Sequence, residues 1–158
     1  MKKAVLVEPC GGCSAEQLQV DFSFLTVAEL QDLHPFLEKR VCAQGETLMR
    51  EGDVGDFMGF LVSGKLAVKK ETTFPGKYIL VAVLERGSMV GEISVVERGR
   101  RTATVIATEE SLLMILTADS LDRLVVANPA LAIKLLRRVI HVLGSRLRKA
   151  SDRLSLLL

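Results

Sequence analysis

The chain has 158 residues, 21 Lys plus Arg against 19 Asp plus Glu, and 49% hydrophobic residues. This suits one domain with a substantial core, and a net charge of +2 makes no case for a polyanionic partner. Six Phe, one Tyr and no Trp describe an aliphatic interior, not a stacking platform for bases, and no apolar run reaches the length of a membrane span.

Residues 1–20, with Pro9 and Gly11-Gly12, read as an N-terminal arm. The start, MKKAVLV, holds too short an apolar patch for a signal peptide, so a cytoplasmic location is expected. Cys10 and Cys13 have metal-ligand or redox spacing, but no second pair follows and no βαβ unit surrounds them. They read as reduced thiols, with reversible oxidation or an intermolecular disulfide as the alternative.

Helical spacing begins near Phe24 with Leu25, Leu30, Leu33 and Leu37, and Thr26 and Glu29 are placed for a capping box. From Arg40 to Leu116 the period shortens. Apolar or alternating runs at 41–49, 57–62, 65–70, 78–84, 103–108 and 112–116 are separated by turn residues such as Gly52, Gly64 and Pro75-Gly76. Strands so short and close leave no room for helical crossovers. They predict a mainly β fold, an antiparallel β-roll or jelly-roll (double-stranded β-helix) with an N-terminal helix and a long C-terminal helix.

Helical spacing returns at Ala118. Leu121, Leu124 and Val125 mark a short helix that Asn128-Pro129 should end, with Pro129 starting the next. There Ile133, Leu136, Ile140, Leu143, Leu147, Ala150 and Leu154 step by threes and fours, a heptad seam that predicts a parallel homodimer. Self-packing or contact with a different chain are the alternatives. Lys134, Arg137, Arg138, Arg146, Arg148, Lys149 and Arg153 read as a solvated face flanking the seam, with a nucleic-acid footprint as the other reading. The tail Ser155 to Leu158 is expected to fray or dock on the dimer.

The stretch from Gly91 to Ala107, GEISVVERGRRTATVIA, concentrates the chemistry. Gly91 permits a tight turn, and Glu92 opens a helical turn whose free N–H groups favour negative charge. Arg101 and Thr102 then supply a guanidinium fork and a hydroxyl before a β-like run. A carboxylate beside an anion site is the right acceptor when the ligand also carries a hydroxyl.

This segment resembles the phosphate-binding cassette of the cyclic nucleotide-binding domain family. The likeness extends through Gly45–Asp56, the run Phe57 to Val62, the turn Ser63-Gly64-Lys65 and the run Leu66 to Lys70, and covers roughly residues 22–150. It implies cAMP or cGMP as ligand and no metal. By the resemblance, Arg101 pairs with the cyclic phosphate, Glu92 accepts the ribose 2′-hydroxyl, and amides from Gly91 to Ser94 and after Arg101 complete the cradle. Val83, Met89, Val90, Ile93, Thr102 and Ala103 are expected beside the ligand, and Leu135, Arg137 and Arg138 of the long helix near the purine. Arg100 stands where many members have Pro, and Thr102 where many have Ala. A hydroxyl at position 102 can serve the phosphate or the guanine edge, so the choice of nucleotide stays open.

The expected organisation is an arm (1–20), a cyclic nucleotide-binding β-roll (21–127) and a lid and dimerisation helix (128–158). The resemblance implies a stand-alone sensor that couples binding to helix position and dimer geometry, acting on a possible separate effector protein. No membrane partner is expected. On this reading the C-terminus follows the long helix too closely for a helix-turn-helix reader, and DNA binding is not expected. A ligand-free dimerisation module with a vestigial pocket is the rival. Catalysis by a β-roll enzyme is not expected, because His34 and His141 fall in predicted helices and no clustered ligands or triad accompany them.

Overall fold

The structure, a computed structural model, describes residues 22–158. The predicted arm, with Cys10 and Cys13, lies outside the described residues. In chain order come α1 (Val27–Leu33), a 3₁₀ turn (His34–Phe36), β1 (Glu38–Cys42), β2 (Thr47–Met49), β3 (Phe57–Ser63), β4 (Leu66–Glu71) and β5 (Tyr78–Leu84). They are followed by β6 (Met89–Val90), α2 (Glu92–Glu97), β7 (Thr104–Ala107), β8 (Ser111–Thr117), α3 (Ala118–Ala127) and α4 (Pro129–Ser155).

The strands form two four-stranded sheets, ordered β1-β8-β3-β6 and β2-β7-β4-β5, and every pairing is antiparallel. This is the predicted roll. β3 and β8 are its spine, and their side chains alternate between two cores. Met58, Phe60 and Val62 with Met114 and Leu116 join Phe22, Leu33, Leu124 and Leu135 beneath the helices. Leu61 with Leu113 and Ile115 meets Leu48, Leu66 and Val105 between the sheets. Burial on both faces is why these two strands read as unbroken apolar runs.

The helix ends follow the local signals. Thr26 and Glu29 form a reciprocal capping box at the start of α1, with Oγ1 accepting from the Glu29 N–H at 3.2 Å and the Glu29 carboxylate accepting from the Thr26 N–H at 2.8 Å. Asn128 ends α3 and caps α4 through its side-chain oxygen, and Pro129 occupies the first turn.

The structure differs from the sequence reading, or adds to it, at three places. The run 41–49 is not one strand: the turn at 43–46, with Gly45 at φ +84°, splits it into β1 and β2, which belong to different sheets. β6, only two residues long, carries no periodicity to be read. The apolar stripe of α4 is two faces: Leu131, Ala132, Leu135 and Val139 pack on the domain, while Ile133, Ile140, Leu147 and Leu154 are 52–72% exposed. The tail Leu156–Leu158 is fully exposed. No helix among the described residues is long and apolar enough to cross a membrane.

Candidate functional site

The site is built where β6 hands over to α2. Gly91 turns the chain at φ +76°, and a Cβ there would lie 2.6 Å from both Arg101 Nη1 and Met49 Cε. Only glycine fits both demands. Gly55 makes the second close approach, since a Cβ would fall 2.1 Å from the Cβ of Ser94. The loop after α2 is pinned to the same segment: Gly55 N–H donates to Gly99 O (3.0 Å), Arg101 N–H to Asp53 O (2.7 Å), and Arg100 Nη1 to Gly52 O (2.8 Å). Arg100 therefore anchors the loop with its side chain where a proline would have stiffened the backbone.

These ties hold Arg101 in place. Its residue is only 5% exposed, and its guanidinium carbon lies 4.5 Å from the centroid of the Phe57 ring. Nη1 donates to Ser94 Oγ at 2.8 Å and to Gly91 O at 3.2 Å. Nη2 is buried and donates to nothing among the described residues. Asp56 Oδ1 lies 4.0 Å away, too far for a hydrogen bond, on a side chain that is 79% exposed. Burial pushes the Arg101 guanidinium below its ordinary range, against the opposing pull of Asp56, Asp53 and Glu92. A buried cation with an open donor is an incomplete arrangement that an anion completes.

Arg101 borders two hollows. The smaller, ≈ 240 Å³, is also lined by Asp53 and Asp56, carboxylates that repel an anion. The larger, a cleft of ≈ 660 Å³, runs between the roll and α4 and also holds Glu92 and Ser94. Glu92 is 2% exposed, and Arg146 of α4 donates to its Oε1 and to the carbonyl of Met89. Among the described residues no group of three or more His, Cys, Asp or Glu side chains is placed to hold a metal ion.

The expected residues are largely brought together. Gly91, Glu92, Ile93, Ser94, Arg101, Thr102 and Ala103 line the cleft, as do Val83, Met89 and Val90 from the strands and Arg138 from α4. Two do not. Leu135 is 1% exposed and belongs to the hydrophobic core, on the α4 face that packs down onto the domain. Arg137 is exposed and outside the lining. Sequence reasoning missed the α4 wall, formed by His141, Ser145, Arg146, Lys149 and Arg153. It also read the basic residues of α4 as a solvated face or a nucleic-acid footprint, with Arg137 and Arg138 near a purine, and foresaw none of their pairings within the chain. Lys134 instead pairs with Glu29 at 2.6 Å, Arg138 sits over the Phe24 ring, and Arg146 pairs with Glu92. Their spacing along the helix carries no trace of these distant partners.

Comparison with known proteins matches residues 39–128 to the family described as cyclic nucleotide-binding domain. The Cyclic AMP receptor protein of Thermus thermophilus is 30% identical over 122 residues, covering 77% of this chain and 54% of that protein. The match to a potassium channel protein of Rhodopseudomonas palustris covers 27% of it, so the chain spans about half or less of these relatives. Among solved structures, a cyclic nucleotide-binding domain from Methylobacillus flagellatus superposes with a TM-score of 0.83 at 23% identity, over 91% of this chain and 84% of that one. The N-terminal domain of a transcriptional regulator from Streptomyces coelicolor is 28% identical with a TM-score of 0.69, over 89% of this chain and 96% of that one. With the family profile spanning more than half of its length and the roll in place, the chain belongs to the cyclic nucleotide-binding domain family.

Proposed function

We propose that this chain is a sensor module that binds cAMP or cGMP in the cleft between the roll and α4. The observation that carries the reading is Arg101, a nearly buried guanidinium that lines the cleft with Glu92 and Ser94 and leaves one donor, Nη2, without a partner among the described residues. A cyclic phosphate brings one negative charge and acceptor oxygens to that donor, and in a partly closed site the pairing is stronger than at the surface. Glu92, on the same cleft, is the acceptor for the ribose 2′-hydroxyl, and Thr102 and Ala103 flank the phosphate. Calorimetric titration with both nucleotides tests this directly: micromolar or tighter binding is expected, and absence of heat for both defeats the reading.

In this reading residues 21–127 form the binding roll and 128–158 the lid. Binding is coupled to α4 through Arg146: the ribose hydroxyl competes for the carboxylate that holds the helix, so the ligand shifts α4 by its differential affinity for the two arrangements. Ile133, Ile140, Leu147 and Leu154, seven residues apart and exposed, are the seam of a parallel homodimer that transmits the shift to an effector.

A further inference from the structure

We infer that the α4 wall of the cleft forms a second anion subsite, built by Lys149 and Arg153, which admits a cyclic dinucleotide with one phosphodiester on Arg101 and the other on α4. This rests on the reading of Arg101 as a cyclic phosphate site.

The cleft's charges are out of balance for a monoanion. Arg101, Arg138, Arg146, Lys149 and Arg153 line it together with His141, against the single carboxylate of Glu92. In this arrangement of α4 Arg146 takes that carboxylate, and where a ribose hydroxyl displaces it one more cation is left facing the cleft; one phosphate satisfies Arg101. Lys149 and Arg153 form no ion pair with any described residue. Arg146, Lys149 and Arg153 recur at spacings of three and four on one helix face, and beyond the Arg146–Glu92 pair this leaves Lys149 and Arg153, four apart, as like charges whose repulsion an anion relieves. Arg153 lies about 10 Å along the helix from Arg146, and Lys149 about 4.5 Å, so the subsite is displaced from the Glu92 contact and not a duplicate of it.

The chemistry of a 3′,5′-linked cyclic dinucleotide fits this layout. Each half keeps a phosphodiester beside a free 2′-hydroxyl, the pair of groups that Arg101 and Glu92 face. The second half adds another negative charge and another base. Val81 and Val83 of β5 line the same cleft yet are 44% and 50% exposed, apolar surface that a second base would cover. The cleft, at ≈ 660 Å³, stands well inside the size range of small-molecule sites.

The test is calorimetry on the full chain with cyclic di-AMP, cyclic di-GMP, cAMP and cGMP at low and high salt. A dinucleotide is expected to bind at least as tightly as the better mononucleotide and to lose affinity more steeply with salt. Replacing both cations, Lys149→Gln with Arg153→Gln, is expected to lower the dinucleotide-to-mononucleotide affinity ratio by about tenfold. Mononucleotide binding without dinucleotide binding, or an unchanged ratio in the double variant, overturns the subsite and leaves the Arg101 reading standing. Failure of every ligand to bind overturns the Arg101 reading, and the subsite with it.

Discussion

Arg146, in the second half of α4, donates to the carboxylate of Glu92, the first residue of α2, so the helix bordering the cleft is tied to the cassette by one ion pair. Glu92 is 2% exposed and the Arg146 side chain 40%. Removing the guanidinium leaves a carboxylate with poor access to water, while the partial solvation of Arg146 moderates the loss. Arg146→Ala is therefore expected to cost about 1–3 kcal/mol in urea unfolding and to speed amide exchange in the last turns of α4. Adding Glu92→Gln should recover part of that loss, because the orphaned charge is gone. Equal stability of Arg146→Ala and the native chain would show that the pair does not hold the helix.

The phosphate reading of Arg101 has a numerical consequence. Arg101→Ala removes charge-assisted hydrogen bonds to the ligand and is expected to weaken cyclic nucleotide affinity by about 2–4 kcal/mol, roughly thirty- to several-hundred-fold. The variant relieves the desolvation of a buried cation but forfeits its bonds to Ser94 Oγ and Gly91 O and its contact with Phe57, so a melt of the same sample separates a loss of fold from a loss of ligand contact. Unchanged affinity by calorimetry would remove Arg101 from the site. A companion measurement uses a 2′-deoxy ligand: it should bind more weakly than the ribose form if Glu92 accepts the hydroxyl.

The two glycine contacts separate backbone shape from chemistry. Gly91→Ala faces a left-handed φ of +76° and a Cβ placed 2.6 Å from Arg101 Nη1, and Gly55→Ala meets the Ser94 Cβ at 2.1 Å. Met49 and the arginine tip can yield, but the Ser94 Cβ is fixed to the backbone of α2. Each substitution is expected to lower stability by about 1–2 kcal/mol or more, with Gly55→Ala the worse for packing and Gly91→Ala the worse for ligand affinity. Thermal melts beside titrations on the same samples check the ordering.

What could be read in advance was local. The capping box needs two residues three apart, and the cassette places Gly91, Glu92, Ser94 and Arg101 within eleven positions, so residue types and spacing suffice. β3 and β8 announced themselves because burial on both faces demands continuous apolar residues. The faces of α4 did not separate in the same way. Leu131, Leu135 and Val139 interleave with Ile133, Leu136 and Ile140, and both sets step at helical intervals; only the docking of the helix decides which set is covered. The Arg146–Glu92 pair spans 54 positions and depends on how α4 crosses α2, so nothing local encodes it.

Acid should reveal the tie between α1 and α4. Lys134 donates to Glu29 at 2.6 Å, and this bond, with the Thr26 N–H, holds the Glu29 carboxyl below its ordinary 4.5. A carboxyl whose pKa is lower in the folded chain binds fewer protons there than when unfolded. Its contribution is fully present above about pH 4.5 and is lost as pH falls through the depressed value. Glu29→Gln should thus melt below the native chain at neutral pH, and the gap should close in increasingly acid buffer. A gap independent of pH would assign the effect to the capping geometry and not to the charge.

The two faces of α4 give a contrasting pair of variants. Leu135 is 1% exposed in the core beneath the helices, so Leu135→Ala should cost about 2–5 kcal/mol of folding stability. Leu147 is 72% exposed and touches no core, so Leu147→Ala should leave the stability of an isolated chain nearly unchanged. If Leu147 is part of a seam between copies, its loss must appear instead as weaker association, and Leu147→Asp, which places like charges against each other across a symmetric interface, should weaken it further. Light scattering over a concentration series reads the mass, and chemical unfolding of the same variants reads the fold. A dimer that survives Leu147→Asp would mean that the copies meet elsewhere, and that the exposed residues of α4 face a different partner.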